Sequence, residues 1–218
     1  MEIRLETPAD YYAVESLTRE AFWNLHVPGC DEHLLVNLLR ENEIFLPKLD
    51  FVALLDEEES GEAAIVGNIM YAKAILRDLS GQDCEVISFG PVSVLPCHQG
   101  KGIGSALIRH SLEQARLQGH QAVLIYGDPA YYGRFGFRPG EELGISGEEG
   151  YYNPALQYLE LVPGYLPRSG SYFILDPVYQ LDEAAVAVFD RRFPGKVKEY
   201  RPSQDHFREM LALSRPRE

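Results

Sequence analysis

The residues of this chain best suited to chemistry lie between Phe89 and Phe137. Gln99-Gly100-Lys101-Gly102-Ile103-Gly104-Ser105 is a glycine-rich turn between an apolar stretch ending at Val94 and a helical pattern that opens at Gly102. A strand, a glycine turn and a helix in that order bring unpaired backbone N–H groups and the positive end of a helix to one place, where a phosphate is received. Glycine lets the backbone approach the anion because no Cβ intervenes. Lys101 adds a cation and Ser105 a further donor.

Three phosphate-binding patterns compete for this loop, and spacing decides between them. A P-loop needs a glycine where Leu95 stands and Ser or Thr where Gly102 stands. The dinucleotide fingerprint fits Gly100 and Gly102, but its third glycine falls at Ser105, and Gly90-Pro91 interrupts the preceding strand. Asp128 after the next strand imitates that fingerprint's acidic residue, so NADH binding is retained as a reading to be tested. The third pattern, Gln-x-x-Gly-x-Gly, is filled completely by Gln99 to Gly104.

Together with Gly90-Pro91-Val92-Ser93-Val94 upstream and Tyr132-x-x-x-Gly136-Phe137 downstream, this loop resembles that of the GCN5-related N-acetyltransferase (GNAT) family. Within the family it looks most like the bacterial branch with a Gly-Asp-Pro-x-Tyr-Tyr-x-Arg-Phe-Gly-Phe segment, here Gly127 to Phe137. The resemblance covers roughly residues 1–163 and implies an α/β fold whose central mixed sheet, flanked by helices, has two splayed strands. It implies acetyl-CoA as co-substrate. The pyrophosphate would lie on Gln99, Gly100, Lys101, Gly102, Ile103, Gly104 and Ser105. The pantetheine arm would insert like a strand against the backbone of Val92, Ser93 and Val94, with Asp128 and Tyr132 as further contacts.

The implied reaction is direct transfer of the acetyl group to a primary amine, without a covalent enzyme intermediate. An amine with a pKa near about 10.4 must first lose a proton. Backbone N–H groups near Val92 are suited to the oxyanion. By its distance from Gly136-Phe137, Tyr132 matches the family's tyrosine and would protonate the departing thiolate; the bland alternative is a phenol packed at the cleft. Where many members carry Asn, this chain has Ile125. Glu20, Glu85 and His26 all remain open as the base, and by resemblance Trp23, His26 and Glu32 are acceptor contacts. An acyl-CoA-binding sensor without catalysis is the alternative function.

Elements to position these groups are legible along the chain. Strands are expected at Ile3–Glu6, Phe51–Asp56, Ile65–Tyr71, Glu85–Val94, Ala122–Tyr126 and Leu156–Val162. Helices are expected from Pro8 to Trp23, from Asp31 as cap to Asn42 with Leu34, Leu35, Leu38 and Leu39 buried, and from Gly102 to a stop at Gly119. A brief helix follows Gly127-Asp128-Pro129, and the acidic turn 57–61 reads as a solvated hairpin connection. Glu141, Glu142, Glu148 and Glu149 either face water or attract a cation. Residues 164–218 read as an extension packed on a domain at 1–163, with a strand at Ser171–Leu175 and helices capped by Asp182 and Ser203.

Composition narrows the function classes. With 218 residues, 45% hydrophobic and 24% charged, the chain is an ordinary globular one. It shows no signal-peptide core and no membrane-spanning run, so a cytoplasmic protein without membrane partners is expected. Its net charge of -13 argues against nucleic acid and suits a cationic substrate, although it equally serves solubility. Cys30, Cys84 and Cys97 lack metal-ligand spacing, so no metal is expected and a reducing compartment fits. A monomer or homodimer acting on a small-molecule or peptide amine completes the expectation.

Overall fold

A computed structural model describes residues 1–56 and 63–217, apart from the side chain of His206. The acidic turn expected at 57–61 lies outside the described residues. In chain order the elements are β1 (Glu2–Leu5), α1 (Tyr11–Phe22), α2 (Glu32–Glu41), β2 (Phe51–Asp56), β3 (Ala63–Asp78), β4 (Asp83–Val94), α3 (Ile103–Leu117), β5 (Ala122–Tyr126), α4 (Pro129–Tyr132), β6 (Arg138–Pro139), β7 (Ile145–Gly147), β8 (Tyr151–Tyr152), β9 (Leu156–Glu160), β10 (Ser171–Ile174), α5 (Glu183–Asp190), α6 (Ser203–Ala212) and β11 (Arg215–Pro216). They divide between two compact units, one of residues 1–71, 90–114 and 177–204, the other of 72–89, 115–176 and 205–218.

In the first unit β1 pairs antiparallel with β2 and β2 with β3, with Glu2 opposite Leu54 and Phe51 opposite Ile69. Val52, Ala53, Ile69 and Met70 are fully buried. Helix α2 buries His33, Leu34, Val36 and Leu39, whereas Leu38 is exposed, so its inner face is rotated from the expected leucine stripe. The reason is a distant partner. His33 lies among Phe189 and Phe193 and sits 3.3 Å from Asp190, which also takes a 2.6 Å hydrogen bond from Arg19. Asp31 occupies the cap position of α2 but makes no side-chain capping bond; its own N–H donates to Glu32 instead.

A buried charge network joins α1, α2 and the ends of β1 and β2. Arg40 donates to Glu6 at 2.6 and 3.0 Å and to Glu15 at 2.8 Å, and all three side chains are almost wholly buried. Asp50 next to it is also buried. Burial, a hydrogen bond to Glu6 and the Glu6 charge push its carboxyl far above the usual range, so Asp50 holds its proton.

In the second unit the sheet is mixed. β4 runs parallel to β5 with Ile87 opposite Val123; β5 pairs antiparallel with β9, and β9 with β6. β10 pairs antiparallel with β3 and parallel with β7. Leu76, Leu124, Ile145, Leu156 and Phe173 pack together as its core. Tyr126, half-exposed at the end of β5, packs on Phe173 with ring centroids 5.8 Å apart and planes tilted by 40°. At the C-terminus β11 pairs with β8, and Arg215 forms an ion pair with Glu141.

Candidate functional site

The glycine loop takes the backbone form the sequence calls for. Gly100 and Gly102 have φ of +72° and +86°, a region that penalises side chains. A Cβ at either position would meet nothing within 4 Å, so the loop presents open backbone. Helix α3 starts directly after it, with the N–H of Ala106 bonded to the carbonyl of Gly102 at 2.9 Å. The first-turn N–H groups before Ala106 have no partner within the helix. Lys101 is exposed beside them, while Gly104 and Ser105 are half-buried in the first turn.

Packing fixes where that helix begins. Ile103 and Leu107 are buried, and a Cβ on Gly67 of β3 would lie 3.0–3.1 Å from both of them and from the carbonyl of Ser93. A glycine in β3 thus permits α3 to lie close on the sheet. Ile103 therefore turns its side chain to the core and has only its backbone to offer a ligand. The Gln99 amide donates to the Val94 carbonyl at 3.0 Å, tying the loop to the end of β4. Ser93 is likewise buried, its hydroxyl 3.1 Å from that of Thr18, whereas Val92 is half-buried. β4 runs through the Gly90-Pro91 pair, whose peptide is cis.

Asp128 and Tyr132 belong to the second unit. Asp128 caps α4: its carboxylate accepts from the N–H of Ala130 at 2.8 Å and its carbonyl from those of Tyr131 and Tyr132. That capping commits its carboxylate locally. The Tyr132 ring packs against Phe89 and Phe137 at 5.9 and 6.0 Å and against Tyr131 at 5.0 Å. Burial, then the neighbouring Tyr131 and Asp128, pushes the Tyr132 phenol well above its ordinary range. It is therefore protonated throughout the physiological range and available as a donor.

The loop between α1 and α2 departs from its expected role at Trp23. Its indole N–H donates to the carbonyl of Val197 at 2.9 Å, while Arg19 and Lys196 stand over the ring. Trp23 thus faces Lys196 and Val197. His26 is half-buried, and burial pulls its pKa down. Burial and the adjacent Asp31 push the Glu32 carboxyl up to about 8, a signal of protonation near neutrality that sequence spacing does not carry. Glu20 is engaged with Lys196 at 2.7 Å, and Glu85 is exposed. Among the described residues no group of His, Cys, Asp and Glu forms a metal site, and no helix is long and apolar enough to cross a membrane.

Residues 2–140 match the model of the acetyltransferase (GNAT) domain, and the chain belongs to that family. The uncharacterized N-acetyltransferase YjhQ of Escherichia coli K12 is 33% identical over 121 residues, covering 50% of this chain and 63% of YjhQ. The uncharacterized N-acetyltransferase YhbS of the same organism is 31% identical over 137 residues, or 63% of this chain and 73% of YhbS. Among solved structures, a GNAT family acetyltransferase from Brucella melitensis in complex with acetyl-CoA is 29% identical with a TM-score of 0.62, covering 82% of this chain and 97% of its own. The fold is the GNAT α/β fold, with its mixed sheet and flanking helices.

Proposed function

We propose that this protein is an acetyl-CoA-dependent N-acetyltransferase acting on a primary amine. The observation that carries the reading is the open, positive-φ backbone of Gly100 and Gly102 at the start of α3, inside the segment matched by the GNAT domain. Residues Gln99 to Ser105 would hold the pyrophosphate through backbone N–H groups, with Lys101 supplying charge. Val92, Ser93 and Val94 would contact the pantetheine arm by backbone. This accords with the buried side chain of Ser93. The Brucella relative, solved with acetyl-CoA, supports the same co-substrate here.

In the step itself the amine nitrogen attacks the thioester carbon, a C–N bond forms and the C–S bond breaks. Nitrogen sheds a proton to a basic group or to water, and the thiolate gains one. Tyr132 is the proposed donor of the latter. Burial keeps that phenol protonated, so the proton is present when the C–S bond breaks. Asp128 serves by capping α4 and so fixing the Tyr132 backbone.

We assign the Gly127–Phe137 segment to the bacterial branch it resembles. Residues 1–163 form the acyl-transfer domain in this reading and 164–218 the extension, supported on the first unit by the Arg19–Asp190 pair. Free Cys30, Cys84 and Cys97 favour a reducing, cytoplasmic setting. Titration calorimetry with acetyl-CoA and with NADH, followed by thiol release across a panel of amines, tests the function. Acetyl-CoA binding with amine-dependent thiol release is expected. Binding without release would indicate the sensor instead, and NADH binding alone would overturn the cofactor assignment.

A further inference from the structure

The second unit contains a cavity of about 330 Å³ that none of the preceding assignments uses. Its lining includes Tyr126, Glu148, Glu149, Tyr151, Asn153 and Ser214. We infer that this cavity binds the ammonium group of a cationic acceptor, an inference that rests on the acyl-transfer reading and names its substrate class as alkylamines.

Charge pairing separates these glutamates from their neighbours. Glu142 is paired with Arg138 and Glu141 with Arg215. Neither Glu148 nor Glu149 forms an ion pair among the described residues. Arg77 feels the charge of Glu148, but its guanidinium is already held by both Asp83 oxygens, at 2.6 and 2.9 Å. Two uncompensated carboxylates at a cavity mouth favour a cation, and the net charge of -13 adds to the attraction.

The walls suit an organic ammonium in particular. Tyr126 and Tyr151 are half-exposed at the cavity, and tyrosine faces attract cations through the ring quadrupole. A Cβ on Gly147 would stand 3.1 Å from the Tyr126 hydroxyl, so glycine there leaves room for the phenol. Burial and the charges of Glu148 and Glu149 push that phenol up to about 12, which keeps it neutral beside them. The far wall is pinned by the β11–β8 pairing and by the N–H of Arg217 bonded to the Gly150 carbonyl at 2.9 Å. The volume falls at the small end of the range for ligand pockets. Tyr126, which lines the cavity, directly precedes in the chain Gly127, against which the Tyr132 ring lies.

The test is calorimetric titration of the full chain at pH 7 and low salt with 1,5-diaminopentane, with pentane-1,5-diol as the uncharged comparator and acetyl-CoA as a separate titrant. Binding of the diamine and not of the diol is expected. The Glu148→Gln/Glu149→Gln double variant should bind the diamine at least tenfold more weakly and acetyl-CoA with unchanged affinity, which also reports that it is folded. Equal diamine affinity in both proteins would overturn the inference, as would acetyl-CoA binding by the parent with no diamine binding. Charge-dependent diamine binding without acetyl-CoA binding would uphold the cation site and overturn acyl transfer.

Discussion

Gly127 and Tyr132 share one space: a Cβ at position 127 would collide with the ring edge of Tyr132. The phenol is thus seated on bare backbone at the end of β5, and that backbone is fixed in turn. The N–H of Gly127 bonds to the Ala155 carbonyl at 2.9 Å, and its carbonyl accepts from Gln157 at 2.8 Å. Gly127→Ala must displace the ring. It should lower kcat at least tenfold while acetyl-CoA affinity, read by calorimetry, changes less than threefold. Unchanged kcat would remove the seat from the mechanism.

Tyr132→Phe keeps the ring packing against Phe89 and Phe137 and deletes the hydroxyl. A proton donor is worth on the order of 100-fold or more in turnover, so kcat should fall by about that factor with melting temperature nearly unchanged. Steady-state kinetics at saturating acetyl-CoA decides it. Equal turnover in the two proteins would exclude Tyr132 as the acid.

The glycine loop makes a separable prediction. Gly102→Asp places a carboxylate where the pyrophosphate would bind and forces a non-glycine residue to φ +86°, with strain of about 1–3 kcal/mol. Gly104→Asp carries the charge without that strain, because Gly104 lies within the first turn of α3. Both variants should lose acetyl-CoA binding by 100-fold or more, and only Gly102→Asp should also melt earlier. A folded Gly104→Asp protein with parental affinity would refute the phosphate assignment.

What the sequence made legible was local. Helix α3 and its stop at Gly119, where φ is +83° and the N–H of His120 reaches back to the Ala115 carbonyl, follow from neighbouring residues alone. So do β5, read to the residue, and the Asp182 cap of α5, whose carboxylate takes the N–H of Ala185. The inner face of α2 was not legible, because His33 is buried by Asp190, Phe189 and Phe193 from far along the chain. For the same reason Glu141 and Glu149 look alike in sequence. Only the return of β11, which brings Arg215 to Glu141, separates the paired from the unpaired carboxylate. Strands of two or three residues such as β6, β7 and β8 are too short for any alternation to announce them.

The Arg40 network sets a stability prediction. Arg40→Met would leave Glu6 and Glu15 buried with their main cationic partner gone, Arg192 reaching only Glu15 at 3.5 Å. Stranding buried charge costs roughly 3–5 kcal/mol. Denaturant unfolding should report a loss of that size, whereas Arg77→Met, which breaks an exposed pair with Asp83, should leave the unfolding midpoint nearly where it is in the parent. Comparable losses in the two variants would contradict the assignment of Arg40 as the hub.

Asp50 gives that network a pH dependence whose sign is fixed. Its carboxyl is raised in the folded protein by burial, the hydrogen bond to Glu6 and the Glu6 charge, so the folded state keeps a proton that the unfolded chain releases above the ordinary carboxylate pKa. The contribution is therefore complete in acid and declines as pH climbs from about 4 through neutrality. Asp50→Asn retains an N–H to offer Glu6 and has no proton to lose. Other carboxylates titrate alike in both proteins and cancel in the difference, so while folded Asp50 keeps its proton the stability of Asp50→Asn relative to the parent should rise by about 1.4 kcal/mol per pH unit, roughly 4 kcal/mol between pH 5 and pH 8. Urea unfolding at the two pH values measures it. Parallel pH curves for the two proteins would mean that Asp50 is ionised in the folded state and that Arg40 neutralises three carboxylates rather than two.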